Sequence, residues 1–217
     1  RGCEKLVNQL IEYDQRLYKD ALTGVYNRRY FEEQIKKKNE NAGVAVIDMD
    51  DFKLCNDTLG HSAGDAALRT MVKTVKHCIR KTDILIRYGG DEFILILQNI
   101  KKENFFNKLV QIQSDIHAAN VPGFPKLQLS VSIGGVISSK ETVEHAVMQA
   151  DKLMYQAKEH KNMVVTEDNA SYVAPGVANR KARQQILIVD DSEMNRAILS
   201  EMLKKDFDIL EAENGKK

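Results

Sequence analysis

The residues best suited to do chemistry are two adjacent carboxylates, Asp91 and Glu92, which directly follow Gly89 and Gly90. Apolar runs precede and follow this stretch, and two such runs joined through Gly-Gly indicate a β-hairpin. Glycine permits a positive φ and a close approach of another group to the backbone. Carboxylates beside bare backbone suit a metal ion bound to phosphate, but acidic residues are also common in solvent-exposed turns. The hairpin alone leaves both interpretations open.

A third carboxylate, Asp48, stands at the end of another apolar run, Val44–Ile47. A short continuous apolar run predicts a strand that is buried on both faces of a sheet. Side chains alternate along a strand, so Asp48 and Asp50 share one face and Met49 takes the other. If this strand neighbours the hairpin in one sheet, the carboxylates meet and can hold Mg²⁺.

The stretch that follows Asp48 is polar and rich in turn residues, and we interpret it as a substrate loop. Lys53 supplies a point charge suited to phosphate. Asn56 and Asp65 offer the mix of donors and acceptors that a purine edge requires. His61 either contacts the substrate or braces the loop. The carboxylates of the remaining acidic residues are expected to cap turns: Asp50, Asp51 and Asp57.

The elements that must position these residues alternate between helices and strands. Apolar periodicity predicts helices over residues 3–19, 27–38, 65–81, 104–119 and 142–161, and strands over 44–47, 84–86, 94–97, 127–133 and 163–165. Gly134-Gly135 indicates a β-bulge. The heptad-like spacing in residues 3–19 favours either a signalling helix that pairs two protomers or a helix that packs on its own domain.

Composition excludes several functional classes. The chain has 217 residues, 43% of them hydrophobic and 29% charged, which is ordinary for a soluble protein. A net charge of +1 predicts no general affinity for nucleic acid or for an anionic membrane, and no apolar run approaches a membrane span. Cys3, Cys55 and Cys78 lack metal-like or disulfide-like spacing and fit a reducing cytoplasm. Because the first residue is Arg1, we expect the chain to be cut from a longer protein.

Five stretches, in order and spacing, resemble the motifs of the GGDEF domain of diguanylate cyclases. They are Asp20–Phe31 (DALTGVYNRRYF), Asp48–Asp65 (DMDDFKLCNDTLGHSAGD), Arg87–Phe93 (RYGGDEF), Ser132-Ile133-Gly134 and Ala150–Lys158 (ADKLMYQAK). The resemblance implies an α/β sandwich of the nucleotidyl-cyclase, palm-like type. Its central sheet is expected to be mixed, mostly antiparallel, and flanked by helices.

The resemblance also implies the reaction and the residues that perform it. Two GTP molecules are joined into cyclic di-GMP, two pyrophosphates are released, and a homodimer brings two GTP-loaded domains face to face. Mg²⁺ (or Mn²⁺) would be bound by Asp48, the Met49 carbonyl and Asp91. Asp91 would also accept the proton, Glu92 would support the site, and Lys53 would stabilise charge on the phosphates. The residues expected to bind GTP are Phe52, Asn56, His61, Asp65, Gly89, Gly90 and Lys158.

A second site is implied by Arg80-Lys81-Thr82-Asp83, which resembles the family's Arg-x-x-Asp site for inhibition by the product. Arginine can bind guanine or phosphate through two parallel hydrogen bonds, and an aspartate can accept from a guanine edge. The alternative is a helix C-terminus that carries cations favoured by the macrodipole.

One departure from the family pattern follows the last predicted helix. Lys161 and Asn162 stand where the family usually has Gly and Arg, so one phosphate contact is missing unless Lys161 compensates. A catalytically weak GGDEF module that senses cyclic di-GMP is therefore the alternative function. A cyclase for another nucleotide is disfavoured by Asp65, whose carboxylate suits guanine better than adenine.

The C-terminal region changes character. Residues 186–192 (ILIVDDS) resemble the first strand and acidic pair of a response-regulator receiver, which suggests a two-component system. The sequence ends before that family's phosphoacceptor, so this piece cannot complete a phosphorylation site. We predict an N-terminal signalling helix over 1–19, a GGDEF domain over 20–166, a linker over 167–184 and a truncated receiver-like fragment over 185–217.

Overall fold

The structure is a computed structural model of the chain. It describes residues 17–167, 172–173, 185–190, 192–203 and 208–214. The predicted helix 3–19 therefore lies outside the described residues except at its end, and so does most of the predicted linker 167–184. The chain divides into two compact units, residues 1–174 and residues 175–217, which we describe separately.

The first unit contains a seven-stranded sheet in the order β1-β3-β4-β2-β5-β6-β7. Its strands are β1 (Tyr26–Asn27), β2 (Ala42–Met49), β3 (Ile84–Arg87), β4 (Glu92–Gln98), β5 (Val131–Ser138), β6 (Met163–Thr166) and β7 (Tyr172–Val173). The pairs β1–β3 and β5–β6 are parallel, and the other four are antiparallel. The prediction of a mixed, mostly antiparallel sheet is confirmed.

Helices cover both faces of this sheet. They are α1 (Arg28–Tyr30), which continues as a π-helical segment (Phe31–Ile35), α2 (Phe52–Leu59), α3 (His61–Cys78), α4 (Lys102–Ala118) and α5 (Val143–Lys158). Apolar side chains of α3 and α4 pack with Ala45 and Ile47 of β2 on one face. Those of α5 pack with Val44 and Val46 on the other. Because both faces are covered, every residue of β2 is buried, as its apolar run predicts.

The predicted substrate loop is largely helical. Residues 52–59 form α2, a helix of eight residues with no fully buried side chain, which is shorter than the window of about 11–18 residues over which helical periodicity is recognised. Gly60 has a φ of 84°, a left-handed conformation that ends α2 and lets α3 begin at once. The predicted helix 65–81 thus starts earlier, at His61, and ends at Cys78.

The predicted bulge at Gly134-Gly135 is wrong. Both glycines lie inside β5 with continuous pairing to Val46 and Ala45 of β2. Their role is close packing of helices on the two faces of the sheet. A Cβ at Gly134 would lie 2.1 Å from the Met154 nitrogen of α5, and one at Gly135 would lie 2.6 Å from a methyl carbon of Leu109.

The second unit contains a two-stranded parallel sheet and one helix. The elements are β8 (Gln185–Val189), α6 (Glu193–Leu203) and β9 (Asp208–Ala212). Within the described parts of the chain, the helices are too short or too polar to cross a membrane.

Candidate functional site

The site is centred on the Asp48 carboxylate, which β2 delivers at its end. The Asp48 side chain is only 4% exposed, and its Oδ2 lies 2.8 Å from Nζ of Lys158, at the end of α5. Burial raises the pKa of the Asp48 carboxyl to about 6, and the nearby Asp91 and Glu92 act in the same direction. The hydrogen bond and charge of Lys158 oppose this increase without cancelling it. Asp48 is therefore a desolvated carboxylate that one lysine only partly compensates.

The hairpin brings the other two carboxylates to the same end of the sheet. Glu92 pairs directly with Asp48 across β4 and β2, so the two side chains share a face. The Met49 N–H donates to the Asp91 carbonyl at 3.2 Å, which holds the hairpin loop against the end of β2. The predicted meeting of the β2 end with the hairpin is present in the structure.

Lys158 lies in the field of all three carboxylates. Burial lowers the pKa of its ammonium group, but the hydrogen bond that it donates to Asp48 and the charges of Asp48, Asp91 and Glu92 outweigh this effect and raise the pKa. Three carboxylates and one lysine leave an excess of negative charge in a partly buried site. Such a site favours a further cation.

Neither hairpin glycine uses the positive φ that glycine permits; among the described glycines, those with a positive φ are Gly24, Gly60 and Gly123. A Cβ at Gly89 would lie 2.7 Å from Oε2 of Glu92, whereas one at Gly90 would meet nothing within 4 Å. Gly89 therefore makes room for the Glu92 side chain. Gly90 exposes bare backbone to solvent.

The residues predicted to read a purine lie on α2 and α3. A Cβ at Gly64 would lie 2.1 Å from Oδ1 of Asn56 and 3.2 Å from the Phe52 ring, so this glycine lets α2 pack closely on the start of α3. Asp65 follows directly, half-buried, with Arg69 at 4.0 Å. Lys53 and His61 are exposed. The structure thus brings Asn56 next to the turn of α3 that carries Asp65.

Asp50, expected only to cap a turn, has a larger structural role. Its carboxylate accepts hydrogen bonds from the Ser132 hydroxyl at 2.7 Å, from the Asn162 N–H at 2.8 Å and from the Ser130 hydroxyl. These bonds tie the β2–α2 turn to β5 and to the α5–β6 turn. Because Asp50 stands two residues after Asp48, this network also fixes the backbone that follows Asp48.

Sequence reasoning missed the group that fixes the hairpin loop. Arg87 donates to the Gly90 carbonyl at 2.6 Å and to both carboxylate oxygens of Asp20 at 3.2 Å. Burial raises the pKa of Asp20, but hydrogen bonds from Thr23 and the Arg87 guanidinium together bring it below its ordinary value. Asp20 and Arg87 each begin one of the stretches that resemble the family motifs, and this was the sequence signal that could have indicated their role.

The carboxylate of the predicted product site is already engaged. Asp83 accepts from the Arg80 N–H at 2.8 Å and from the Gln98 N–H at 3.0 Å, so it shapes the α3–β3 turn. Arg80 is exposed. A pocket of about 330 Å³ adjoins this turn, and most of its polar lining is basic: Lys19, Lys76, Arg80 and Lys81, with Asp83.

Lys161, suggested as a substitute phosphate ligand, instead pairs with Asp51. Its Nζ lies 2.7 and 2.8 Å from the two carboxylate oxygens of Asp51. Asn162, at the position of the family's arginine, is buried, and no hydrogen bond satisfies its side-chain amide in the described part of the chain.

The donor set fits a hard divalent cation that also binds phosphate. Within the described residues, no cluster of three or more acidic, histidine or cysteine side chains is arranged to hold a metal ion. Mg²⁺, however, is usually bound by one or two carboxylates together with substrate phosphates and water. Asp48, Asp91 and the Met49 carbonyl are the residues that could hold such a cation, at a site with excess negative charge.

A comparison with models of known protein families shows which family the chain belongs to. The family model described as "Diguanylate cyclase, GGDEF domain" matches residues 17–163, more than half of the chain. The chain belongs to the GGDEF family. The matched range covers every site residue described above, and the truncated receiver predicted beyond it stays a prediction.

Curated relatives of this GGDEF chain are named as diguanylate cyclases. Diguanylate cyclase DgcS of Shewanella oneidensis is 36% identical over 149 residues, which are 64% of this chain and 49% of the relative. Probable diguanylate cyclase DgcC of Escherichia coli (strain K12) is 29% identical over 163 residues, 69% of this chain and 44% of the relative. The chain thus spans less than half the length of these relatives.

Solved GGDEF structures share the fold. Diguanylate cyclase SiaD of Pseudomonas aeruginosa, in complex with its activator SiaC, is 27% identical with a TM-score of 0.66, over 76% of this chain and 68% of that one. The GGDEF domain of DgcB from Caulobacter crescentus, in complex with c-di-GMP, is 26% identical with a TM-score of 0.62, over 70% of this chain and 96% of that one.

Proposed function

We propose that this chain is a diguanylate cyclase that joins two GTP molecules into cyclic di-GMP and releases two pyrophosphates. The observation that carries the proposal is the convergence of Asp48, Asp91 and Glu92 at one end of the sheet, with Lys158 bound to Asp48. The intact Gly-Gly-Asp-Glu-Phe sequence and the named activity of the relatives agree with it.

Asp48, Asp91 and the Met49 carbonyl are the proposed holders of Mg²⁺ or Mn²⁺. Bound there, the cation would neutralise phosphate charge and lower the pKa of a coordinated hydroxyl. Lys158 balances part of the carboxylate charge and is close enough to exchange its contact with Asp48 for one with a phosphate oxygen. Lys53, exposed at the start of α2, is the second proposed cation for the phosphates.

The remaining residues of the site bind and orient the nucleotide. Asn56 and Asp65 take the guanine edge, with Phe52 and His61 bordering it. Asp91 accepts the proton of the attacking 3′-hydroxyl, and Glu92 supports the site as a further negative charge beside Asp48 and Lys158. Gly89 and Gly90 leave the hairpin backbone open to the phosphates. Because the hydroxyl and the α-phosphate belong to different GTP molecules, two domains must face each other, and we propose a homodimer for catalysis.

We further propose that product binds at Arg80–Asp83. The adjoining basic pocket of about 330 Å³ supports this, since cyclic di-GMP carries two phosphates. The exposed Arg80 is the direct ligand, while Asp83 fixes the turn through the Arg80 and Gln98 N–H groups. The complex of the related DgcB domain with c-di-GMP agrees with product binding.

The second candidate is a sensor that binds cyclic di-GMP without turnover. It is favoured by the missing arginine, because buried Asn162 stands in its place and Lys161 is engaged by Asp51. Turnover separates the candidates: both should bind cyclic di-GMP in calorimetry and lose this binding on Arg80→Ala, but a pure sensor forms no product from GTP.

The proposal is tested by incubating the full chain with GTP and Mg²⁺ and identifying the product by mass. Wild-type protein should form cyclic di-GMP, and Asp91→Ala should lower its rate at least about a hundredfold. Asp115→Ala, which changes a carboxylate on α4, is the matched control. Absence of product from a dimeric, metal-replete sample contradicts the proposal.

A further inference from the structure

Three residues in two facing turns have left-handed backbones although none is glycine. Asp51 has a φ of 55° in the β2–α2 turn, and Lys161 and Asn162 have φ values of 53° and 46° in the α5–β6 turn. Each such residue costs free energy and persists only where surrounding contacts hold it. The contacts that join these two turns therefore explain why both keep this conformation.

Three contacts link the two turns and the ends of the elements that lead into them. Lys161 binds both carboxylate oxygens of Asp51, the Asn162 N–H donates to Asp50, and Lys158 binds Asp48. Residues 48–51 are thereby connected at three points to residues 158–162. Of these three contacts, the one between Lys161 and Asp51 reaches the start of α2, and both of its side chains are exposed.

Asp51 stands at the N-cap position of α2 but does not cap it. An N-cap aspartate ordinarily has an extended backbone and accepts from the N–H groups two or three residues later. Here Asp51 is left-handed, makes no side-chain cap hydrogen bond, and gives its carboxylate to Lys161. The first N–H bonded within α2 is that of Cys55, so those of residues 52–54 have no partner within the helix.

We propose that Lys161 is a positioning residue of the GTP site. By binding both oxygens of Asp51, it keeps the β2–α2 turn left-handed and prevents the Asp51 carboxylate from capping α2. A capping carboxylate would place negative charge beside Lys53, where the proposed function puts the phosphates of GTP. Lys161 acts through Asp51 and makes no contact with phosphate itself.

This inference rests on the proposed function only in its last step, so it has one test without nucleotide and one with it. The first is amide hydrogen exchange in the full chain, free of nucleotide. Lys161→Met should release Asp51 into the capping conformation and slow exchange at the amides of Lys53 and Leu54. Lys140→Met is the matched control, because Lys140 is also exposed and left-handed, with a φ of 64°. Unchanged exchange at residues 53 and 54 in Lys161→Met overturns the inference.

The second test is the affinity for 3′-deoxy-GTP with Mg²⁺, an analogue that lacks the attacking hydroxyl. Lys161→Met should weaken binding roughly fivefold, the size of an ordinary capping interaction, whereas Lys161→Arg and Lys140→Met should bind as wild type does. Asp51→Gly removes the carboxylate and accepts the left-handed backbone, so it should bind normally.

A double variant separates this role from a direct phosphate contact. If Lys161 acts through Asp51, adding Lys161→Met to Asp51→Gly changes nothing. An equal loss of affinity in both backgrounds means that Lys161 touches phosphate, and it overturns the inference. A wild-type chain that binds no analogue, while the exchange pattern responds as expected, contradicts the proposed function and leaves the role of Lys161 in the turn intact.

Discussion

At the scale of residues, the site shows a conflict between stability and chemistry. Asp48 is nearly inaccessible, and burial raises its pKa to about 6. Because the folded pKa exceeds the ordinary value, the folded protein holds this proton more tightly than the unfolded chain does. The associated stability is present below about pH 4 and is lost as the pH rises through about 6.

We therefore expect Asp48→Asn to stabilise the metal-free protein at pH 7.5. Asn keeps the size of Asp without its charge, so the variant avoids the cost of burying that charge. A shift of about two pKa units corresponds to roughly 2–3 kcal/mol in the free energy of unfolding, and this is an upper value because the variant also loses the ion pair with Lys158. Urea unfolding in EDTA measures the change, with the exposed Asp57→Asn on α2 as control. The advantage should disappear near pH 4. Equal or lower stability of Asp48→Asn at pH 7.5 would contradict this interpretation of Asp48.

At the scale of elements, the sheet positions the site by close packing and by the ion pair between buried Asp48 of β2 and Lys158 of α5. The apolar runs predicted β2, β3 and β4, and the Gly-Gly signal predicted the hairpin, because strands buried on both faces have a clear sequence pattern. α2 was missed because it is short and buries none of its residues. The Gly134 bulge was wrong because a strand glycine has the same sequence signal whether it bulges or makes room for a helix.

Gly134→Ala should destabilise the fold by about 2 kcal/mol or more, because its Cβ would lie 2.1 Å from the α5 backbone, which cannot rotate away. Gly90→Ala is the matched control for stability, since its Cβ meets nothing within 4 Å. Thermal unfolding compares the two variants. Gly90→Ala should keep the wild-type melting temperature while lowering GTP turnover, because the new methyl group narrows the space beside the hairpin. A similar loss of stability in both variants would argue against this account of β5.

Asp20 and Arg87 should couple the hairpin loop to the segment before β1. Their side chains are 20% and 15% exposed, so removal of one partner strands a partly buried charge. Asp20→Asn should cost about 1–3 kcal/mol and slow turnover by loosening the loop at Gly90. The lowered pKa of Asp20 means that this stabilisation holds at neutral pH and fades as the pH falls into the acid range. A double-mutant cycle with Arg87→Met measures the coupling, and additive effects would contradict it.

At the scale of the whole molecule, all proposed catalytic and product-binding residues lie in the first compact unit, residues 1–174. Five motifs in order and spacing made the family predictable from sequence, and several of them place a polar group at the end of a strand or helix, as Asp48 and Lys158 show. The links between turns were not predictable, since Asp50–Ser132 and Lys161–Asp51 join residues about 80 to 110 positions apart. No local pattern records such pairs.

A chain ending at residue 174 should therefore retain GTP turnover within about twofold of the full chain, because it keeps the sheet and every proposed site residue. Initial rates at equal protein concentration, with circular dichroism to check folding, measure this. If the truncated chain folds but is inactive, residues 175–217 contribute to catalysis and this expectation is wrong.

The proposed product site at Arg80 lies on the same unit as the proposed catalytic residues and should inhibit them. Arg80→Ala should abolish inhibition by added cyclic di-GMP while leaving the initial rate close to that of wild type, because the turn shaped by Asp83 uses the backbone of Arg80 and not its side chain. Lys37→Ala, outside the basic pocket, is the control. Inhibition that persists unchanged in Arg80→Ala would remove this site from the account.

The central claim is that two GTP-loaded domains of this chain make one cyclic dinucleotide. The most direct measurement follows pyrophosphate and mass-identified cyclic di-GMP together while the protein concentration is varied. We expect two pyrophosphates for each cyclic di-GMP and a rate per chain that rises with concentration as dimers form. Pyrophosphate or phosphate released without cyclic di-GMP, or no turnover at any concentration, would contradict the claim.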